Sequence, residues 1–214
     1  MKKFAIILSG CGVYDGSEIH EAVMTMLAAT KLGVMYQLYA PDIEQMHVIN
    51  HLTGNVMDEK RNVLVESARI GRGNVKPLAD LKLEIYDGII FPGGFGVAKN
   101  LSSFAVKGVE FTVLPEVERV VKEAHELGKP IGALCISPVM IAKVIQGATV
   151  TIGQDKATVD VVKTLGGNHV ETDHTGIAID EKNKIVTTPC YMLDSSLAQI
   201  AEGAEHLVQA MIKM

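Results

Sequence analysis

The 214 residues, 48% hydrophobic and 21% charged, hold enough apolar material for a sizeable buried core. Asp and Glu number 25 against 20 Lys and Arg, a formal charge of −5 with no basic stripe, which argues against nucleic acid or an anionic membrane as partner. No apolar run approaches the roughly 18 residues of a membrane span, and the 3 cysteines, without a CxxC pair or an HExxH, suit neither a disulfide framework nor a zinc site.

Phe4 to Leu8 is a continuous apolar run, as in a strand buried on both faces, and reads as a first strand rather than a signal peptide. It enters the loop 9–17, where Ser17 is the expected N-cap of a helix with Glu18 and Glu21 in its first turn. Ala22, Val23, Met26, Leu27 and Thr30 are its expected inner face, and Gly33 its end. A strand over Val34 to Tyr39 follows. The segment 43–76 is less regular, with an amphipathic helix expected over Asp58 to Ile70, and reads as a cap or interaction insertion in a single domain spanning 1–214. Asp87 to Phe91 is the next buried strand and runs into Pro92-Gly93-Gly94. Pro115 to Leu127 is a helix, with proline at a tolerated early position and Gly128 closing it. Pro130 to Leu134 is a strand that ends at Cys135. Pro138 to Ile145 and Lys156 to Leu165 are helices, Ile177 to Asp180 and Lys184 to Thr187 a hairpin, and Ser195 to Ile212 the closing helix. Strands alternating with helices predict an α/β fold, a mostly parallel sheet covered on both faces, with ligands beyond the carboxyl ends of the strands. The loops 9–17, 92–100 and 135–138 all lie there.

A strand ending in a nucleophile and turning at once into a helix is the nucleophile-elbow arrangement. Gly132 and Ala133 before Cys135, and Ser137-Pro138 after it, suit so tight a bend. Unpaired N–H groups and the dipole at a helix start are expected to lower the thiol pKa; a buried structural cysteine is the competing reading. Gly93 and Gly94, with the N–H of Ile136, offer an oxyanion hole, or simply a tight turn. Glu18 and Glu21 are candidate acid/base partners, and capping accounts for at least one of them. His20 is a candidate base. Cys11 and Cys190 read as structural.

Phe91-Pro92-Gly93-Gly94-Phe95, Lys99-Asn100-Leu101-Ser102 and Ala133-Leu134-Cys135-Ile136-Ser137-Pro138 resemble the ThiJ/PfpI superfamily, whose fold is that of the class I glutamine amidotransferases. The stretches 8–21 and 49–54 resemble its ElbB branch, the isoprenoid (lycopene) biosynthesis proteins with an amidotransferase-like domain. The resemblance covers essentially the whole chain. It implies a flavodoxin-like three-layer sandwich, Cys135 at the elbow, and a first-helix glutamate against its thiol, Glu21 by position with Glu18 as the alternative. Asn100 falls in the matching segment as a possible site residue. It further implies a homodimer, no cofactor or metal, and a weak, glutathione-independent glyoxalase activity that turns glyoxal and water into glycolate.

Three departures bear on this. Ile136 stands where peptidase-like members carry His, which argues against proteolysis. Val150-Thr151-Ile152-Gly153 lacks the His of deglycase-like members, and Thr188-Pro189-Cys190 replaces the late His-x-Glu of true amidotransferases. The expected enzyme is therefore slow, acting on small 2-oxoaldehydes through a Cys135 hemithioacetal. The alternative is a non-catalytic redox sensor or regulatory protein built on an acidic, accessible thiol. The sparse, odd cysteine set fits a reducing, cytoplasmic setting.

Overall fold

A computed structural model describes all of residues 1–214. The apolar runs form the centre of one sheet: β1 (Lys3–Ile7), β2 (Met35–Ala40), β3 (Val75–Pro77), β4 (Gly88–Phe91), β5 (Ile131–Leu134), β8 (Ala178–Asp180) and β9 (Ile185–Thr188), with β6 (Thr149–Val150) and β7 (Asn168–His169) as a separate short pair. The order is β3-β2-β1-β4-β5-β9-β8, parallel except for β8, which meets β9 antiparallel in the expected hairpin. The helices are α1 (Ile19–Lys31), α2 (Val63–Gly71), α3 (Phe95–Lys99), α4 (Phe104–Lys107), α5 (Pro115–Glu126), α6 (Ser137–Val144), α7 (Lys156–Thr164) and α8 (Leu197–Lys213).

Successive strand residues point to opposite faces, and this splits the interior into two cores. Phe4, Ile6, Leu8, Ile90 and Leu134 pack beneath α1, α2 and α8; Ala5, Ile7, Ile89, Phe91 and Ala133 pack beneath α5, α6 and α7. The architecture is the flavodoxin-like three-layer sandwich. From β1 the chain winds one way to β2 and β3, then the other way to β4 and β5. A crevice opens where that direction reverses, at the carboxyl ends of β1 and β4.

Three local expectations are corrected. Glu18, not Ser17, caps α1: its Oε2 accepts the Glu21 N–H at 2.7 Å. Ser17 is turned inward, and its Oγ accepts the N–H of Ser9 at 2.8 Å, a buried donor with no strand partner at that point. The inner face of α1 is Glu21, Ala22, Thr25, Ala28 and Ala29, whereas Val23 and Leu27 are 40% and 47% exposed. Small residues let α1 pack closely on α8, where Gly203 and Ala204 are buried. Finally, α2 starts only at Val63, capped by Asn62, whose side chain accepts from Val65 N; residues 58–62 are not helical, and Asn62 pairs with Glu44 in an antiparallel bridge. Residues 43–62 lie over the loop 9–17, which they meet through Asp15 accepting from Ile49 N at 2.7 Å and His51 accepting from Tyr14 N at 3.2 Å.

Candidate active site

Cys135 follows the last residue of β5 and still holds the ladder, its N–H donating to Thr188 O at 2.9 Å. Its φ is +61°, a left-handed conformation that costs a non-glycine residue energy and lets the chain leave the strand and enter α6 at once. The N–H groups of Gly94 and Ile136 point at Sγ. Ser137 Oγ donates to Pro92 O at 2.9 Å and ties the elbow to the neighbouring loop.

That loop approaches too closely for any side chain. A Cβ on Gly93 would stand 2.4 Å from Cys135 Cβ, 2.6 Å from Glu21 Oε2 and 3.0 Å from Cys135 Sγ. One on Gly94, whose φ is +99°, would stand 2.3 Å from Glu18 N. The pair therefore answers a need for space as well as for backbone freedom. Gly93 does not aim its N–H at the thiol as expected for an oxyanion hole: it donates to Glu21 Oε2 at 2.9 Å, leaving Gly94 and Ile136 as the donors facing sulfur.

Glu21 is fully buried and hydrogen-bonds the Cys135 thiol. Its other oxygen accepts the N–H of Tyr191 at 3.3 Å. Burial first, then the nearby Glu18 carboxylate, push the Glu21 pKa up to about 8, against the smaller pull of those three donors. At neutral pH it is mainly a neutral acid. Cys135 is 8% exposed, and burial together with Glu21 raises its thiol above the ordinary value. The expectation of an acidified thiol is thus corrected: the two donors at the start of α6 act as foreseen, but desolvation outweighs them.

Glu18, largely buried, faces a cavity of about 440 Å³ that Cys135 also lines, whereas Glu21 stands behind the sulfur and does not reach it. His20 is exposed and outside the lining; its Nδ1 lies 2.9 Å from the Tyr191 hydroxyl and 3.8 Å from Glu18 Oε1. Asn100 is spent on structure: Nδ2 donates to Ser9 O and Asp15 O at 2.9 Å each, and Oδ1 accepts Met46 N at 3.0 Å. Cys190 is fully buried with φ +45°, and Cys11 is half-buried; burial raises both thiols. Sequence reasoning missed Tyr191, which lines the cavity, bonds His20 and holds Glu21 through its backbone. It follows the Thr188-Pro189-Cys190 departure, which was the only pointer to it. No group of three or more His, Cys, Asp or Glu side chains is placed to hold a metal ion. No helix is long and apolar enough to cross a membrane.

No protein-family profile matches the chain. It is 46% identical over 222 residues to the human glutamine amidotransferase-like class 1 domain-containing protein 3, mitochondrial, covering 99% of this chain and 83% of that protein. The crystal structure of an isoprenoid biosynthesis protein with an amidotransferase-like domain from Ehrlichia chaffeensis superposes with a TM-score of 0.94 at 36% identity, covering 100% of this chain and 99% of that one. A glyoxalase III from Candida albicans superposes with a TM-score of 0.62 at 15% identity, covering 98% and 97%, and shares the fold. The relatives from Homo sapiens, Rattus norvegicus and Danio rerio are all named mitochondrial, which overturns the cytoplasmic expectation and points to mitochondria.

Proposed function

This chain belongs to the glutamine amidotransferase-like class 1 family, and on that premise we propose that it is a cysteine-dependent, glutathione-independent glyoxalase-like enzyme converting glyoxal and water to glycolate. The observation that carries the reading is the strained Cys135, its sulfur between two backbone donors and a fully buried carboxyl, at the floor of a cavity.

The buried pair of Cys135 and Glu21 becomes reactive on losing one proton. That proton leaves Glu21 first, because the thiol is held above its ordinary value, and the Glu21 carboxylate then takes the thiol proton as sulfur attacks, with the Gly94 and Ile136 N–H groups in reach. Sγ bonds to one aldehyde carbon of glyoxal, and the carbonyl electron pair moves onto oxygen, which those N–H groups hold. Protonation of that oxygen gives a hemithioacetal. A carboxylate removes the proton from the sulfur-bound carbon, the electrons pass through an enediolate, and the other carbon is protonated, leaving a thioester. Water adds to the thioester carbon, the C–S bond breaks, and glycolate and the thiol are released.

Glu21 was the expected carrier of the carbon-bound proton. In this reading Glu21, which does not line the cavity, removes the thiol proton instead, and Glu18, which lines it beside Cys135, moves the carbon-bound proton. One positioned acid or base contributes about 10²–10⁴-fold, so an enzyme without a histidine in this role turns over slowly. Glycolate formation from glyoxal tests the proposal: Cys135→Ala falls to the uncatalysed rate and Glu18→Gln by about 10²–10⁴-fold. A Cys135→Ala rate equal to wild type removes the proposal. A link to isoprenoid biosynthesis, carried by the name of the Ehrlichia relative, belongs to the same reading. The redox-sensor alternative draws less support, because sulfur is mostly covered and its pKa is raised.

A further inference from the structure

Glyoxal has four heavy atoms. Taking about 30 Å³ for a water in the liquid as a gauge, it occupies the space of roughly two or three waters. The cavity over Cys135 holds about 440 Å³, a volume of the kind that encloses much larger ligands. Its wall is mostly apolar: Val13, Phe95, Phe104, Ile136 and Met192 contribute. The only charged side chains in the lining are two carboxylates, Glu18 and Asp155, and no lysine or arginine is among them. Asp155 is held in place as the N-cap of α7, accepting from Thr158 N at 2.8 Å and from the Thr158 hydroxyl at 2.6 Å. Lys99 is not in the lining: its ammonium donates to Tyr14 O at 2.7 Å and lies 5.4 Å from the centre of the Phe95 ring. An anionic group entering the cavity would leave water to face two carboxylates and no cation.

We propose that this cavity selects uncharged or cationic carbonyl compounds that bear an apolar substituent larger than a methyl group, and that it rejects carboxylated or phosphorylated ones. The inference deepens the glyoxalase-like reading, since it rests on Cys135 as the attacking atom. The apolar substituent lies along Phe95, Phe104 and Met192, and the reacting carbon sits over Sγ. Glyoxal is then a minimal substrate that leaves most of the wall unused. Binding energy from parts of a substrate remote from the reacting atoms is what positions those atoms, so a small substrate is also a slow one.

Methanethiosulfonates test this without any turnover. The Cys135 sulfur attacks the sulfenyl sulfur of the reagent, an S–S bond forms and methanesulfinate leaves, so no further oxidant is needed. The methyl, benzyl, 2-aminoethyl and 2-sulfonatoethyl reagents are compared on the full chain. Labelling at Cys135 is read by peptide mass mapping and divided by the rate of each reagent with a free small thiol. The expected order places benzyl and 2-aminoethyl at least as fast as methyl, and 2-sulfonatoethyl at least tenfold slower. In Asp155→Asn, which keeps a capping side chain, the gap between the cationic and anionic reagents narrows several-fold. An anionic reagent as fast as methyl overturns the charge preference, and a benzyl reagent slower than methyl overturns the apolar one. Cys135 inert to all four, while the urea-unfolded chain reacts, overturns both. Glyoxal turnover is measured in parallel. Discriminating labels without glycolate formation leave the cavity's preference standing and remove the glyoxalase-like reading alone.

Discussion

Replacing Glu21 with glutamine makes the electrostatics of the site visible as a change of sign in stability. In the folded chain the Glu21 pKa is pushed from an ordinary 4.5 to about 8 by burial and by Glu18. Between those values the unfolded chain has released this proton and the folded chain still holds it. The stabilisation is therefore complete below the ordinary value and is lost as pH rises toward about 8. One pKa unit corresponds to about 1.4 kcal/mol, so from pH 5 to pH 8, with partial ionisation at both ends, Glu21 alone lowers stability by roughly 3–4 kcal/mol. Glutamine carries no such slope. It can accept only one of the two backbone N–H groups, from Gly93 and Tyr191, that the carboxyl accepts now. That loss costs about 1–3 kcal/mol at every pH. Urea unfolding of both proteins at a series of pH values between 5 and 8 separates the two effects, because every other titrating group is common to both. Glu21→Gln should be less stable than wild type at pH 5 and approach or exceed it at pH 8. Parallel stability curves would show that Glu21 is ionised in the folded chain, and the argument from burial would fail.

Gly93→Ala forces a methyl group to within 2.4 Å of Cys135 Cβ and 2.6 Å of Glu21 Oε2; it should cost roughly 1–3 kcal/mol by urea unfolding and reduce Cys135 labelling. Asn100→Ala leaves Ser9 O, Asp15 O and Met46 N without this partner; a loss of about 2–4 kcal/mol is expected, with the Cys135 labelling order retained wherever the chain stays folded.

The parts of the fold legible in the sequence were those where burial alone dictates residue type. Phe4 to Leu8, Ile89 to Phe91 and Ile131 to Leu134 are apolar throughout because both faces are covered, and each proved to be a central strand. The edge strand β3 and the short pair β6 and β7 are two or three residues long, and β7 is the polar Asn168-His169; they carry no such pattern. The α1 face was misread because hydrophobicity ranks Val23 and Leu27 above Ala28 and Ala29, whereas close packing on α8 favours small side chains. In the site, the glycine pair and the elbow cysteine were legible because steric limits leave few residue types open there. The charge state of the thiol was not: a dipole can be inferred from a helix start, but the opposing desolvation depends on how completely distant segments close over the sulfur.

Trapping the intermediate tests the central claim most directly. Glyoxal is mixed with the protein, the reaction is quenched in acid at successive times, and peptides are weighed. The account predicts an adduct of one glyoxal mass on the peptide bearing Cys135, rising before glycolate, decaying as glycolate is released, and absent in Cys135→Ala. Glycolate produced with no adduct on Cys135, or at the same rate by Cys135→Ala, would contradict it.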